Sequence, residues 1–243
     1  MLKALIFDCD GVLVDTERDG HRVAFNRAFE LFGIDANWDV PLYGRLLLVA
    51  GGKERMRAYF EEFGWPENVR SQEGRDELIK ALHREKTRIG SEMIAAGELP
   101  LRPGISRIVD EAIAAGTRLG VCTTSNPAFI DAVLDLFGPG RKAKFDFVHA
   151  GDVVNKKKPD PEIYELAKQS LGLPTHECMV VEDSRNGLLA ALGAGFPTLI
   201  TTSTYTVGED FTGAAKVVPE LGDVPGVTLQ DMSELAAATQ ATA

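Results

Sequence analysis

Residues 5–17 read LIFDCDGVLVDTE, a short apolar run followed by two aspartates two residues apart and then a glycine. Leu5, Ile6 and Phe7 read as a short buried strand, which puts Asp8 at its carboxyl end, where open α/β sheets bind their ligands. A carboxylate so placed can attack an electrophile, and Asp10 on the following loop is near enough to give and take the proton. The bare spacing equally fits an Asp/Gly turn, since both residue types are common in turns.

After Pro100 the chain repeats one unit. Helices are expected at 105–115, 127–137, 162–171 and 186–194, and strands at 118–122, 145–150, 178–181 and 197–201. This alternation predicts an α/β fold, a doubly wound parallel sheet with crossover helices on both faces. Residues 17–98 interrupt it with a mostly helical pattern. His21, Ala24, Phe25, Ala28, Phe29 and Phe32 recur at helical spacing before Gly33, and another helix follows Gly51 and Gly52. A third runs from about 73 to 96 through Leu78, Leu82, Glu85 and Ile89. The expected organisation is a core of 1–16 with 99–243 and an inserted helical domain of 17–98, joined by hinges at 14–17 and 99–103. The tail after Val227 carries a short helix-like stretch expected to fray.

A chain of 243 residues, 44% hydrophobic, can bury a sizeable core. Its apolar runs break well before the span of a membrane helix, and no secretory or transit segment is read at its start, although a processed plastid protein would have lost one. Lys plus Arg is 26 against 36 Asp plus Glu, a net charge of −10, which disfavours nonspecific binding to nucleic acid or anionic membrane. An acidic chain that binds an anion must concentrate cations locally; Lys158, Lys53, His21 and a metal are the candidates. Cys9, Cys122 and Cys178 lie at or beside apolar strands with no close pair, and read as reduced core residues. Cys9, between two aspartates, is a poor thiolate because neighbouring carboxylates raise its pKa.

Asp8, Asp10, Gly11, Leu13, Asp15 and Glu17 resemble the first signature of the haloacid dehalogenase superfamily of phosphotransferases, and three later segments resemble its other signatures in order. These are LGVCTTSN at 119–126 with Thr123, Lys158 in KKKPDPEIY, and MVVEDSRNG at 179–187 with Glu182 and Asp183. Singly, Thr123 is a strand-end hydroxyl, Lys158 one of a solvated lysine run, and Glu182 with Asp183 a helix start. Their joint order carries the resemblance. It implies a Rossmann-like core with an inserted helical cap, and a phosphoric monoester hydrolase that uses magnesium. A phosphate monoester dianion resists a carboxylate until a metal and cationic groups neutralise its approach. The implied metal ligands are the Asp8 carboxylate, the Asp10 backbone carbonyl and the Asp183 carboxylate, with Glu182 either a fourth ligand or a partner behind them. Thr123 and the Thr124 amide would bond the phosphoryl oxygens and Lys158 would offset their charge. Asp8 would become a phosphoaspartate, and Asp10 would protonate the leaving oxygen and then deprotonate water.

Segments 50–60, 100–104, 122–127, 150–164 and 180–187 are similar to the CbbY-type sugar-bisphosphate phosphatases, most of all plant and algal members, over nearly the whole chain. That likeness implies hydrolysis of xylulose-1,5-bisphosphate, a Rubisco inhibitor, to xylulose 5-phosphate for the Calvin cycle. It implies the chloroplast stroma, with a bacterial cytoplasm as the alternative. The expected partner is a small sugar bisphosphate, met by a monomer, with no nucleic-acid or membrane partner. Gly51 and Gly52 let the backbone approach a ligand, and the helix they open turns unpaired amides and a positive dipole to an anion, with Lys53 in its first turn. They are expected to anchor the second phosphate. Glu17 and His21, one helical turn apart, would meet sugar hydroxyls. Ser125 and Asn126 contact substrate or cap the helix that Pro127 opens, and Arg45 is a surface residue or a ligand of the distal phosphate. Two rivals remain. A sugar-phosphate mutase such as β-phosphoglucomutase shares the phosphoaspartate, and a silent binding module shares the fold. The GGKERM segment favours the phosphatase, and intact Asp8, Asp10, Lys158 and Asp183 count against the silent module.

Overall fold

β1 (Ala4–Phe7) is buried at every position, as a strand covered on both faces must be. The computed structural model describes residues 1–49, 51–222 and 226–241. With β2 (Arg118–Thr123), β3 (Phe145–Ala150), β4 (Cys178–Glu182), β5 (Thr198–Thr201) and β6 (Lys216–Val218), β1 forms one parallel sheet in the order β3-β2-β1-β4-β5-β6. The chain winds outward from β1 to β3 and then returns to the other side of β1 for β4 to β6. That reversal opens a crevice at the carboxyl end of β1, the place where doubly wound sheets hold ligands. Phe7, the last residue of β1, stands in register with Val121 of β2 and Val181 of β4.

The chain divides into two compact units, Met1–Asp15 with Pro100–Ala243, and Thr16–Leu99. Each crossing lies one residue from the position read in the sequence. In the first unit α5 (Ile105–Ala115), α6 (Pro127–Asp135), α7 (Pro139–Lys142), α8 (Glu162–Leu171), α9 (Arg185–Gly193) and α10 (Leu229–Ala241) accompany the sheet. Ala4, Ile6, Cys178 and Val180 pack in one cluster with Ile163 and Ala167 of α8 and Ala190 of α9. The alternate residues Leu5, Phe7, Met179 and Val181 are equally buried and point to the opposite face.

The inserted unit holds a π-helix (Thr16–His21), α1 (Arg22–Leu31), α2 (Val40–Leu46), α3 (Gly52–Phe63) and α4 (Gln72–Ala95). Its core is aromatic, with Phe25 and Phe29 ring centroids 4.7 and 5.0 Å from that of fully buried Trp38. One expectation needs correction. The segment through Glu17 and His21 is the wider π-helix, not α-helix. The buried stripe of α4 runs through Ile79, Leu82, Ile89 and Met93, with Leu78 half-buried beside it, in keeping with the mixed faces of the sequence pattern. The tail after Val227 forms α10, which buries Met232 and Ala236 four residues apart; residues 242 and 243, where fraying was expected, and Ala50 of segment 50–60 lie outside the described residues. α2, α7 and β6 were not anticipated. α2 has a readable start, because the Asp39 side chain accepts the Leu42 N–H at 2.8 Å and Pro41 follows in the first turn. Among the described residues no helix is long and apolar enough to cross a membrane.

Candidate active site

The Asp8 N–H donates to Val181 O at 2.9 Å, carrying the β1 ladder one residue past the strand and fixing a carboxylate that is only 7% exposed. The chain then turns at Gly11, whose φ of +81° disfavours any side chain. A Cβ there would also sit 2.0 Å from Asp183 Oδ2, so only glycine lets the loop pass over that carboxylate. Asp15, at the end of the same motif, accepts the Thr204 hydroxyl at 2.5 Å.

The Lys158 side chain is only 9% exposed, while Lys156 and Lys157 beside it are exposed. Its ammonium donates to Asp8 Oδ1 at 2.6 Å, Glu182 Oε1 at 2.6 Å and Cys122 O at 2.9 Å, which engages all three protons. Burial opposes its charge, but Asp8 and Glu182 outweigh burial and hold its pKa above the ordinary lysine range. Burial pushes the Asp8 carboxyl well above its usual range against the Lys158 charge, and Glu182, Asp10 and Asp183 add to the rise. Asp183 is raised to about 7 by burial and by Glu182. Burial and the flanking aspartates likewise raise the Cys9 thiol, and all three cysteines are free and buried.

Acid groups crowded in this way could hold a cation. Asp8, Glu182 and Asp183, all buried, each offer an oxygen within 4.8 Å of the others. An all-oxygen, carboxylate-rich set fits a hard divalent cation. Glu182 is already held on both oxygens. Its Oε1 accepts Lys158 and the Tyr164 hydroxyl, the latter at 2.5 Å, and its Oε2 accepts the Asp183 N–H at 3.2 Å. Gly187 makes room for it, since a Cβ there would fall 1.9 Å from Oε2.

Asp10 is oriented from the end of β2. Ser125 Oγ donates to Asp10 Oδ2 at 2.5 Å and Thr123 Oγ1 lies 3.4 Å from the same oxygen. Thr124 is exposed, and Asn126 caps α6 by accepting the Phe129 N–H at 2.9 Å. Ser125 and Asn126 thus make protein contacts, the first with Asp10 and the second with a helix start.

In the inserted unit, Glu17 Oε2 accepts the Tyr43 hydroxyl at 2.6 Å, and that hydroxyl accepts Arg55 Nη1 at 3.0 Å. Lys86 Nζ lies 3.0 Å from His21 Nδ1 and 5.0 Å from the centre of the Phe25 ring. Gly51 precedes α3, which Gly52 and exposed Lys53 begin, while Arg45 pairs with Glu62 at 3.0 Å. Sequence reasoning missed Tyr43, Arg55, Lys86, Tyr164 and Arg102. Lys86 had a signal: it sits four residues after Leu82 and three before Ile89, a charge on the buried stripe of α4.

Against known proteins, a family model described as haloacid dehalogenase-like hydrolase matches residues 2–195. A CBBY-like protein of Arabidopsis thaliana is 50% identical over 91% of this chain and 70% of its own length. The plasmid-borne CbbY protein of Cupriavidus necator is 45% identical over 91% of this chain and 87% of its own. Among solved structures, a mutant CbbY from Rhodobacter sphaeroides in complex with xylulose-1,5-bisphosphate superposes with a TM-score of 0.69. It is 38% identical and is matched over 94% of this chain and all of its own.

Proposed function

Since the chain belongs to the haloacid dehalogenase-like hydrolases, we propose that it is a magnesium-dependent phosphatase that hydrolyses xylulose-1,5-bisphosphate to xylulose 5-phosphate and phosphate. The observation that carries this reading is the Lys158 ammonium on Asp8 Oδ1 beside an Asp10 carboxylate held by Ser125. Asp8 attacks phosphorus, the bond from phosphorus to the sugar oxygen breaks, and Asp10 gives that oxygen its proton. Water then attacks the phosphoaspartate while Asp10 takes a proton back, a role worth roughly 100- to 10,000-fold in rate. Lys158 offsets the charge that builds on the transferring group, and the Thr123 hydroxyl and Thr124 amide bond its oxygens. Asp8, the Asp10 carbonyl and Asp183, with Glu182 among or behind them, would hold magnesium, whose chemistry is to neutralise the approaching dianion.

Gly51, Gly52 and Lys53 are assigned to the second phosphate and Glu17 and His21 to sugar hydroxyls, while Ser125 acts by holding Asp10 and Asn126 by capping α6. The substrate assignment is supported by the 38% identity to the Rhodobacter sphaeroides CbbY whose complex with this bisphosphate is solved. The plant relative favours a chloroplast stromal enzyme removing a Rubisco inhibitor, with bacterial cytoplasm as the alternative; we assign it a monomeric state.

The test is phosphate release and product identity from sugar mono- and bisphosphates with magnesium. One phosphate should leave xylulose-1,5-bisphosphate far faster than any leaves the monophosphates, and Asp8→Asn should lose more than about 10,000-fold in kcat. Isomerisation of a hexose 1-phosphate without phosphate release would make it a mutase, and inertness toward every phosphate ester would sink the reading.

A further inference from the structure

We propose that the Tyr164 hydroxyl is a positioning group for phosphoryl transfer, fixing the Glu182 carboxylate that in turn aims Lys158 at Asp8; this rests on the phosphatase reading above. Tyr164 is fully buried in the apolar cluster formed by Ile6, Cys122, Val180 and Phe196. Phenylalanine would fill the same space there without a hydroxyl to desolvate, and burying a polar group is costly unless it is bonded. Among the described residues the hydroxyl has one partner, Glu182 Oε1 at 2.5 Å. The ring has another, since the Lys158 ammonium stands 5.2 Å from its centre.

Lys158 is a flexible side chain whose head is placed by its acceptors. Two of these, Asp8 Oδ1 and Cys122 O, belong to the strand ends; the third is Glu182 Oε1. Glu182 is confined by the Asp183 N–H on one oxygen, the Gly187 backbone beside it, and Tyr164 with Lys158 on the other oxygen. Without the phenol, Oε1 keeps Lys158 alone, and carboxylate and ammonium are free to shift together away from Asp8. Misplacement of reacting groups by about 1 Å can cost 100-fold in rate.

Tyr164→Phe keeps the ring over Lys158 and removes the hydroxyl alone. It should lower kcat about 10-fold with KM changed less than about twofold, and weaken magnesium-supported binding of tungstate, read by calorimetry, about fivefold. In a Glu182→Gln background the same substitution should change kcat less than about twofold, because the group it acts through has been altered. A wild-type kcat in Tyr164→Phe, or an equal loss in both backgrounds, overturns the inference. Wild-type protein inert toward every phosphate ester overturns the phosphatase reading instead, and the tungstate affinities then decide the role of Tyr164: a loss in Tyr164→Phe upholds it and equal affinities reject it.

Discussion

Lys86 carries a charge at odds with its surroundings in the inserted unit. Burial lowers its pKa from 10.5 to about 8; Glu17 works against that shift and Arg55 adds to it. Between about 8 and 10.5 the unfolded chain therefore binds the proton that the folded one has released, so this residue makes stability rise with pH across that window. Below the window the folded protein bears the full cost of the buried ammonium, up to about 3 kcal/mol. Lys86→Met should accordingly be the more stable form near neutrality, with an advantage that shrinks at high pH. Urea denaturation of both proteins at neutral and alkaline pH measures it, and a constant difference rejects the argument. Legibility at this scale was uneven. Asp8, Thr123 and Asp183 could be read because each ends or follows a short apolar run. Tyr164 could not, because beside Ile163 and Ala167 it looks like one more apolar contact of a helix.

Arg102 binds separate elements together. Its guanidinium donates to the carbonyl of Gly11 in the Asp8 loop, to Thr201 at the end of β5, and to the carbonyls of Thr202 and Pro219, each at 2.8 Å. A planar fork with five donors can serve acceptors converging from three segments, and a lysine with three donors cannot. Arg102→Lys should cost about 2 kcal/mol, because the abandoned carbonyls lose their partners; chemical denaturation reads this, and an unchanged midpoint would dismiss the clamp. The long elements were legible because α5, α8 and the central strands each show more than one full period of their pattern. α7, with 4 residues, and β6, with 3, show less than a convincing period, and β6 takes its place by pairing with β5 across an intervening loop.

The whole molecule is one discontinuous unit interrupted by another. The two crossings lie side by side, since Val14 bridges Leu101 and the Arg102 N–H donates to Leu13 O at 2.8 Å. Replacing residues 16–99 with a short Gly/Ser linker should therefore leave the six-stranded unit folded, with a cooperative thermal transition by circular dichroism; a non-cooperative melt would show that it depends on the insert. By itself the sequence determined the strand and helix alternation, the place of the insert, and the residues at the strand ends, because periodicity and turn chemistry are local along the chain. Only the tertiary structure decided which of three consecutive lysines reaches Asp8, that Glu182 is held by Tyr164, and that Ser125 bonds Asp10. Asp8 and Lys158 are 150 positions apart, and Asp10 and Ser125 are 115 apart. No local pattern encodes such pairings; they arise when the sheet brings the strand ends together in a buried site where each charge needs a partner.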